Sequence, residues 1–204
     1  MHILKQPRFW LLVWGAAGAV FLLYVIVSAS VSPRDAASSS LRSALDHDRA
    51  LLVGEMEDFT YAFPPRGTPE IAFLHDGSSM SLNDFRGKAV LVNLWATWCA
   101  PCLKELPSLD GLQNAFDDEK FEVVAIAADP RGPKVAQDYL DRLEISHLKL
   151  YADPNLQFAF AMGGADVLPI SVLYDANGQE VGRLIGEADW QSPEALALVR
   201  SVLP

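Results

Sequence analysis

AVLVNLWATWCAPCLKELP, residues 89–107, changes its periodicity halfway along. Ala89–Trp95 is almost wholly apolar and rich in β-formers, the pattern of a central strand buried on both faces. Thr97–Pro101 turn the chain. Leu103, Leu106, Leu109, Leu112 and Phe116 then recur at threes and fours, which predicts a helix with one apolar stripe. Pro107 falls inside that helix, lacks an amide hydrogen and crowds the preceding turn, so a kink is expected there. Cys99 and Cys102 stand at the junction of strand and helix, with Ala100 and Pro101 between them.

That position matters more than the spacing. At a helix N-terminus, free amide groups and the positive end of the macrodipole stabilise an anion. Cys99, in the first turn, is therefore expected to have a lowered pKa and to act as the nucleophile. Cys102, almost one turn further and more buried, is placed to attack a mixed disulfide and release the product. Pro101 is tolerated because its missing amide hydrogen would have been unpaired anyway. Trp95, alternating on the strand, reads as core. Trp98, directly before Cys99, is expected to shield the disulfide and touch substrate.

The chain has only these two cysteines, so it is no disulfide-stapled scaffold. The rival chemistry is half a zinc site. Structural zinc needs four ligands, and His2, His47, His75 and His147 are too scattered to complete a set, reading instead as surface residues. No metal or other cofactor is expected. A peroxidase is a third option, but Cys99 opens a CxxC helix rather than standing alone in a loop after a strand.

Outward along the chain, Phe121–Ala127 reads as a second buried strand and Pro133 as the start of a helix carrying Val135, Tyr139, Leu140 and Leu143. Ile71–Leu74 with Asp76-Gly77 suggests a short strand and turn, and residues 148–151 another strand. Residues 155–162 are expected to be helical and stopped by Gly163-Gly164. Ile170–Tyr174 and Glu180–Ile185 flank Asn177-Gly178 as a β-hairpin. The last helix has Ser192 as N-cap and Pro193 at its first position. This succession predicts an α/β domain with a mixed sheet, parallel at its centre with an antiparallel edge hairpin.

Towards the N-terminus, Phe9–Val27 is a run of 19 residues without charge. As a helix it would span roughly 28 Å, close to a bilayer's hydrocarbon core. Trp10, Trp14 and Tyr24 lie near its ends, and Lys5 and Arg8 precede it. The positive-inside bias then predicts a cytoplasmic N-terminus over residues 1–8, a transmembrane anchor over 9–27 and an exported remainder. A cleavable signal peptide is the competing reading, with Ser28 and Ser30 suiting a cleavage site, but the run exceeds the usual length of about 7–15 apolar residues. Residues 28–66 read as a linker, serine-rich at first and proline-rich at its end, with a weakly helical stretch from Leu41 to Leu52. Residues 67–204 form the expected domain. The formal net charge of −10 argues against nucleic acid or anionic headgroups as partners, since both need basic surface.

DFRGKAVLVNLWATWCAPCLKELP, residues 84–107, resembles the thioredoxin-like family of membrane-anchored bacterial reductases that includes ResA, DsbE (CcmG) and TlpA. VLPISVLYDANGQEVGRLIGEADW, residues 167–190, is similar to the TlpA branch in particular, as is the layout of anchor and linker. The resemblance covers residues 53–204 and implies a thioredoxin-like fold, a mixed central sheet flanked by helices. It matches Pro169 to the family's cis-proline facing the active-site disulfide, with the Leu168 backbone as a short edge for an extended substrate. Read without the family, Pro169 is merely a strand-start proline. Glu105, three residues after Cys102, matches an acidic residue near the active site that would relay a proton to or from Cys102. The plainer alternative is a solvated first-turn glutamate favouring the helix dipole. Asn93 occupies the strand position where ordinary thioredoxins carry a buried acid, which suggests a different proton relay.

By this resemblance the protein is expected to be a periplasmic reductant of client disulfides, held in the inner membrane. The implied clients are a copper chaperone, an oxidase subunit or apocytochrome c, and a thiol-reducing membrane donor would restore the dithiol. The alternative is a non-catalytic, redox-sensing or copper-carrying tether, since Cu(I) accepts two thiolates. Sco-like copper carriers, however, combine CxxxC with a distant histidine, and neither feature is evident here.

Overall fold

Eight strands join one sheet among the described residues: β1 (Thr60–Tyr61), β2 (Phe73–His75), β3 (Ser78–Met80), β4 (Ala89–Trp95), β5 (Phe121–Ala127), β6 (Tyr151–Ala152), β7 (Ile170–Tyr174) and β8 (Glu180–Ile185). This computed structural model describes residue 21, residues 50–163 and residues 167–204. The helices are α1 (Ala100–Asn114), α2 (Pro133–Arg142), α3 (Gln157–Ala161) and α4 (Pro193–Arg200). The strand order is β1-β8-β7-β4-β5-β6-β2-β3, with β4, β5 and β6 parallel and the remaining pairings antiparallel.

Alternation along the central strands divides the core into two layers. Leu91 and Trp95 of β4 and Leu173 of β7 pack with Leu106, Leu109 and Leu112 of α1 and with Leu198 of α4. Val90, Val92 and Leu94 face the opposite layer, with Phe73, Phe85, Phe158 and Tyr174. A strand period of two therefore puts Asn93 on the α1 side of the sheet, together with Ser171 of β7. Both are buried, at 1% and 0% exposure, and this placement builds the site.

The expected domain boundary moves. The composition shift put the linker's end at residue 66, but residues 50–204 form one unit. Met56 and Phe59 are buried in the α1-side layer, and β1 pairs with β8. Gly182 makes room for this: a Cβ there would stand 2.5 Å from both Phe59 and the Thr60 carbonyl. Polar and proline-rich neighbours hid two core residues in the reading of that stretch. The anchor expected over 9–27 and the linker up to residue 49 lie outside the described residues, Phe21 apart. Among the described residues no helix is long and apolar enough to cross a membrane.

Other differences are local. The β7–β8 hairpin is not at an edge, because β1 covers β8 and β2–β3 form the far edge. Its turn is as chemistry demands: the Asp175 carboxylate accepts the amides of Asn177 and Gln179 at 2.9 and 2.8 Å, and Gly178 takes a φ of 67°. The strand expected over 148–151 shares only Tyr151 with β6, and the helix expected over 155–162 shortens to α3. Asp153 holds the start of α3 by accepting amides of Gln157 and Ala159 at 3.1 and 2.9 Å. Pro107 does not end α1, which runs through it. The buried stripe of α1 comprises Cys102, Glu105, Leu106, Leu109, Leu112 and Gln113, while Leu103 is only half-buried. His75 is no free surface residue: it bonds the Leu150 carbonyl at 2.9 Å and lies against Tyr151.

Candidate active site

Cys99 is the N-cap of α1 and is joined to Cys102 by a disulfide, with the two Cα atoms 5.3 Å apart. The Cys102 amide donates to Cys99 Sγ at 3.3 Å, so one of the helix's free N–H groups points at the sulfur that would carry charge. Cys99 retains 5% exposure and Cys102 only 1%, which leaves Cys99 as the sulfur a large substrate can reach. Ala100 and Pro101 open the helix and are exposed.

Trp98, next to Cys99 in the chain, is 58% exposed, and Val167, which leads into the Leu168–Pro169 bond, is 47% exposed. The Leu168–Pro169 bond is cis, and Pro169 directly precedes β7. Its carbonyl accepts the Gly186 amide at 3.0 Å, and Ile170 pairs with Ile185, tying this loop to the end of β8. Trp95, by contrast, is fully buried beneath the site.

Glu105 is no solvated first-turn carboxylate. It is 3% exposed and lies in the buried stripe of α1. Trp190 Nε1 donates to its Oε1 and Asn93 Nδ2 to its Oε2, the latter at 3.5 Å. Asn93 also donates to Ser171 Oγ at 2.9 Å, which links α1 through β4 to the strand that follows Pro169. Burial pushes the Glu105 carboxyl up to about 8, although the hydrogen bonds from Trp190, Asn93 and the Ala188 backbone act in the other direction. Glu105 also lines an open groove of about 480 Å³ with Glu55, Lys104 and Glu187, a route from its surroundings to water. A carboxyl with a pKa near 8 can both give and take a proton close to neutrality.

Trp190, Ser171, Thr97 and Asp129 belong to this end of the fold and were not singled out by sequence reasoning. Trp190 and Ser171 carry no local pattern that marks them. Asp129 had a signal, since it follows the carboxyl end of a parallel strand, where open α/β sheets gather functional groups. Among the described residues no group of three or more His, Cys, Asp or Glu side chains gathers to hold a metal ion.

The Redoxin family model matches residues 54–199. The thiol-disulfide oxidoreductase ResA of Bacillus thuringiensis (strain Al Hakam) is 31% identical over 112 residues, covering 55% of this chain and 63% of the relative. The chain thus spans somewhat under two thirds of the length of the curated relatives it matches. The thioredoxin-like protein YneN of Bacillus subtilis (strain 168) is 50% identical over 50 residues, 24% of this chain and 29% of that protein. Among solved structures, a DsbF homologue from Corynebacterium diphtheriae superposes with a TM-score of 0.60 at 26% identity, covering 71% of this chain and 92% of that one. A thiol:disulfide interchange protein of the thioredoxin family from Chlorobium tepidum TLS gives 0.54 at 28% identity, covering 68% and 96%. A CxxC disulfide stands at a helix N-terminus, the fold is thioredoxin-like, and the chain belongs to the Redoxin family.

Proposed function

We propose that this protein is a membrane-tethered protein dithiol–disulfide oxidoreductase that reduces client disulfides on the exported side of the inner membrane. The observation that carries the reading is the Cys99–Cys102 disulfide at the start of α1, its more exposed sulfur accepting a helix amide and directly preceded by the exposed Trp98.

In the reduced chain, the Cys99 thiolate attacks one sulfur of a client disulfide. A mixed disulfide forms, and the client's other sulfur leaves as a thiolate that takes up a proton. Cys102 then loses its proton, for which the ionised form of Glu105 is the acceptor, and attacks Cys99 Sγ. The second client thiol leaves and the disulfide seen here is formed. Two electrons have passed to the client, and a thiol-reducing membrane donor returns two to the protein. The Leu168 backbone and the exposed Trp98 beside Cys99 receive the extended client segment. By the family resemblance of residues 84–107 and 167–190, the clients are proteins of respiratory metal-centre assembly: a copper chaperone, an oxidase subunit or apocytochrome c.

Two measurements test this. Equilibration of the full chain with dithiothreitol or glutathione is expected to give a reduction potential near that of thioredoxin, roughly −270 mV, as a dedicated reductant needs. A value near roughly −120 mV is that of a strong oxidant and would rule out client reduction. For the tether, the full chain is expected in the membrane fraction and a chain lacking residues 9–27 in the soluble one. Recovery of the full chain in the soluble fraction would rule the tether out.

A further inference from the structure

Asp129 is a second buried carboxylate at the disulfide end of the sheet. It lies two residues beyond β5 and is 1% exposed. Its Oδ2 accepts the Thr97 amide at 3.1 Å and also the Thr97 hydroxyl. From the other side, the Arg131 amide and Nε donate to Oδ1 at 3.0 and 3.1 Å, and Arg131 Nη2 donates to Oδ2 at 3.1 Å. Burial opposes its ionisation, but the hydrogen bonds from Thr97 and Arg131 outweigh it and hold the carboxyl below the usual range. Asp129 is therefore an anion at neutral pH, paired with a half-exposed cation.

Its partner stands in the segment that delivers Cys99. β4 ends at Trp95, and four residues later Cys99 must present its sulfur to the Cys102 amide. Trp98 points no anchor into the core, being 58% exposed, whereas Thr97 is 4% exposed. The Ala128 amide donates to the Trp95 carbonyl at 2.8 Å and the Cys99 amide to the Ala96 carbonyl at 3.1 Å. Thr97 sits between these two backbone bonds, and the Asp129 carboxylate is what grips its side chain and amide together.

We propose that Asp129 is a positioning residue for thiol exchange: by clamping Thr97 it aligns Cys99 with the N-terminus of α1 and so sets the reactivity of the Cys99 thiol. The proposal rests on exchange at Cys99 and is independent of client, membrane donor and direction of electron flow.

Thr97→Val keeps the side chain's shape and changes no charge, but removes the hydroxyl. In the reduced full chain, alkylation of Cys99 by iodoacetamide, read by peptide mapping across pH, is expected to titrate at higher pH than in the wild type. For each unit of that rise the rate at neutral pH falls about threefold, because the tenfold loss of thiolate is half offset by its greater nucleophilicity. Thr97→Ser, which retains the hydroxyl, is expected to restore the wild-type profile. Arg131→Ala changes a half-exposed side chain and leaves the carboxylate without its cation, so the Cys99 titration is again expected to move up. The other ionisable groups near this end, Cys102, Lys104 and Glu105 of α1 with Glu55 and Glu187, are the same in all these variants. If Thr97→Val lowers the melting temperature, or fails to fold, while Arg131→Ala leaves the Cys99 titration and the reduction potential at wild-type values, the contact merely holds a loop and the proposal is overturned.

Discussion

A Cys102→Ser chain, reduced and mixed with a disulfide-containing protein, is expected to accumulate a mixed disulfide through Cys99, while Cys99→Ser forms none and its turnover drops to background. The asymmetry follows from position. Cys99 caps α1, accepts a helix amide and keeps 5% exposure against 1% for Cys102. A serine at 102 cannot attack the Cys99–client bond, because its hydroxyl is far less acidic and forms no stable bond to sulfur, so the adduct has no internal exit. A serine at 99 removes the only sulfur a folded partner can reach, and the remaining thiol is buried. Non-reducing electrophoresis of either variant with an insulin-type substrate reads the adduct, and turbidity of released chains reads the turnover. An adduct that forms through Cys102 in the Cys99→Ser chain would reverse the assignment of nucleophile and resolving cysteine.

The second large effect concerns pH. Glu105 ionises near 8 in the oxidised fold, against an ordinary value of 4.5 when exposed. Between these two values the folded chain holds a proton that the unfolded chain has released. Its contribution to stability is therefore fully present below about pH 4.5, falls as pH rises, and is lost once pH passes about 8. The size of the loss is on the order of a few kcal/mol, as expected for a nearly fully buried carboxyl. Glu105→Gln is neutral throughout and can keep both neighbours: its carbonyl oxygen accepts from Trp190, and its amide can donate to an Asn93 side chain turned over, with the Ser171 hydroxyl then donating to Asn93 instead of accepting. Denaturant midpoints of the oxidised wild type and the variant are expected to agree near pH 5 and to diverge by pH 9, with the wild type the less stable. The same substitution is expected to flatten the limb near pH 8 in the rate of disulfide closure after mixed-disulfide formation. Parallel stability profiles from pH 5 to 9 would show that Glu105 is ionised at neutral pH, and the proton-acceptor role would need another group.

Long, periodic elements were legible. β4, β5 and both strands of the β7–β8 hairpin occupy the residues that apolar runs and an Asn-Gly turn marked out. Ser192 caps α4 as its sequence indicates, accepting the Ala195 amide at 3.2 Å. The short elements were legible only in part: the strand and turn read at Ile71–Leu74 and Asp76-Gly77 are present as β2 and the turn to β3, but their bounds shift. β1 and β6 have two residues each and carry no period, and they exist because β8 and β5 offer them free edges. Glu105 shows the limit within one helix. A glutamate in an apolar stripe looks like a solvated exception until its partners arrive from elsewhere in the chain.

The sequence by itself determined the chemistry: two cysteines, two residues apart, at the junction of a buried strand and a helix, where unpaired amides and the helix dipole favour a thiolate. Local spacing suffices for that, because strand, turn and helix are contiguous. Only the tertiary structure decided the protonation and alignment of the site. Glu105 is bonded by a tryptophan 85 positions away, Asn93 by a serine 78 away, and Thr97 by an aspartate 32 away. Whether a carboxyl is neutral or charged depends on what desolvates it and what donates to it, and those atoms are brought together only when the sheet closes against α1.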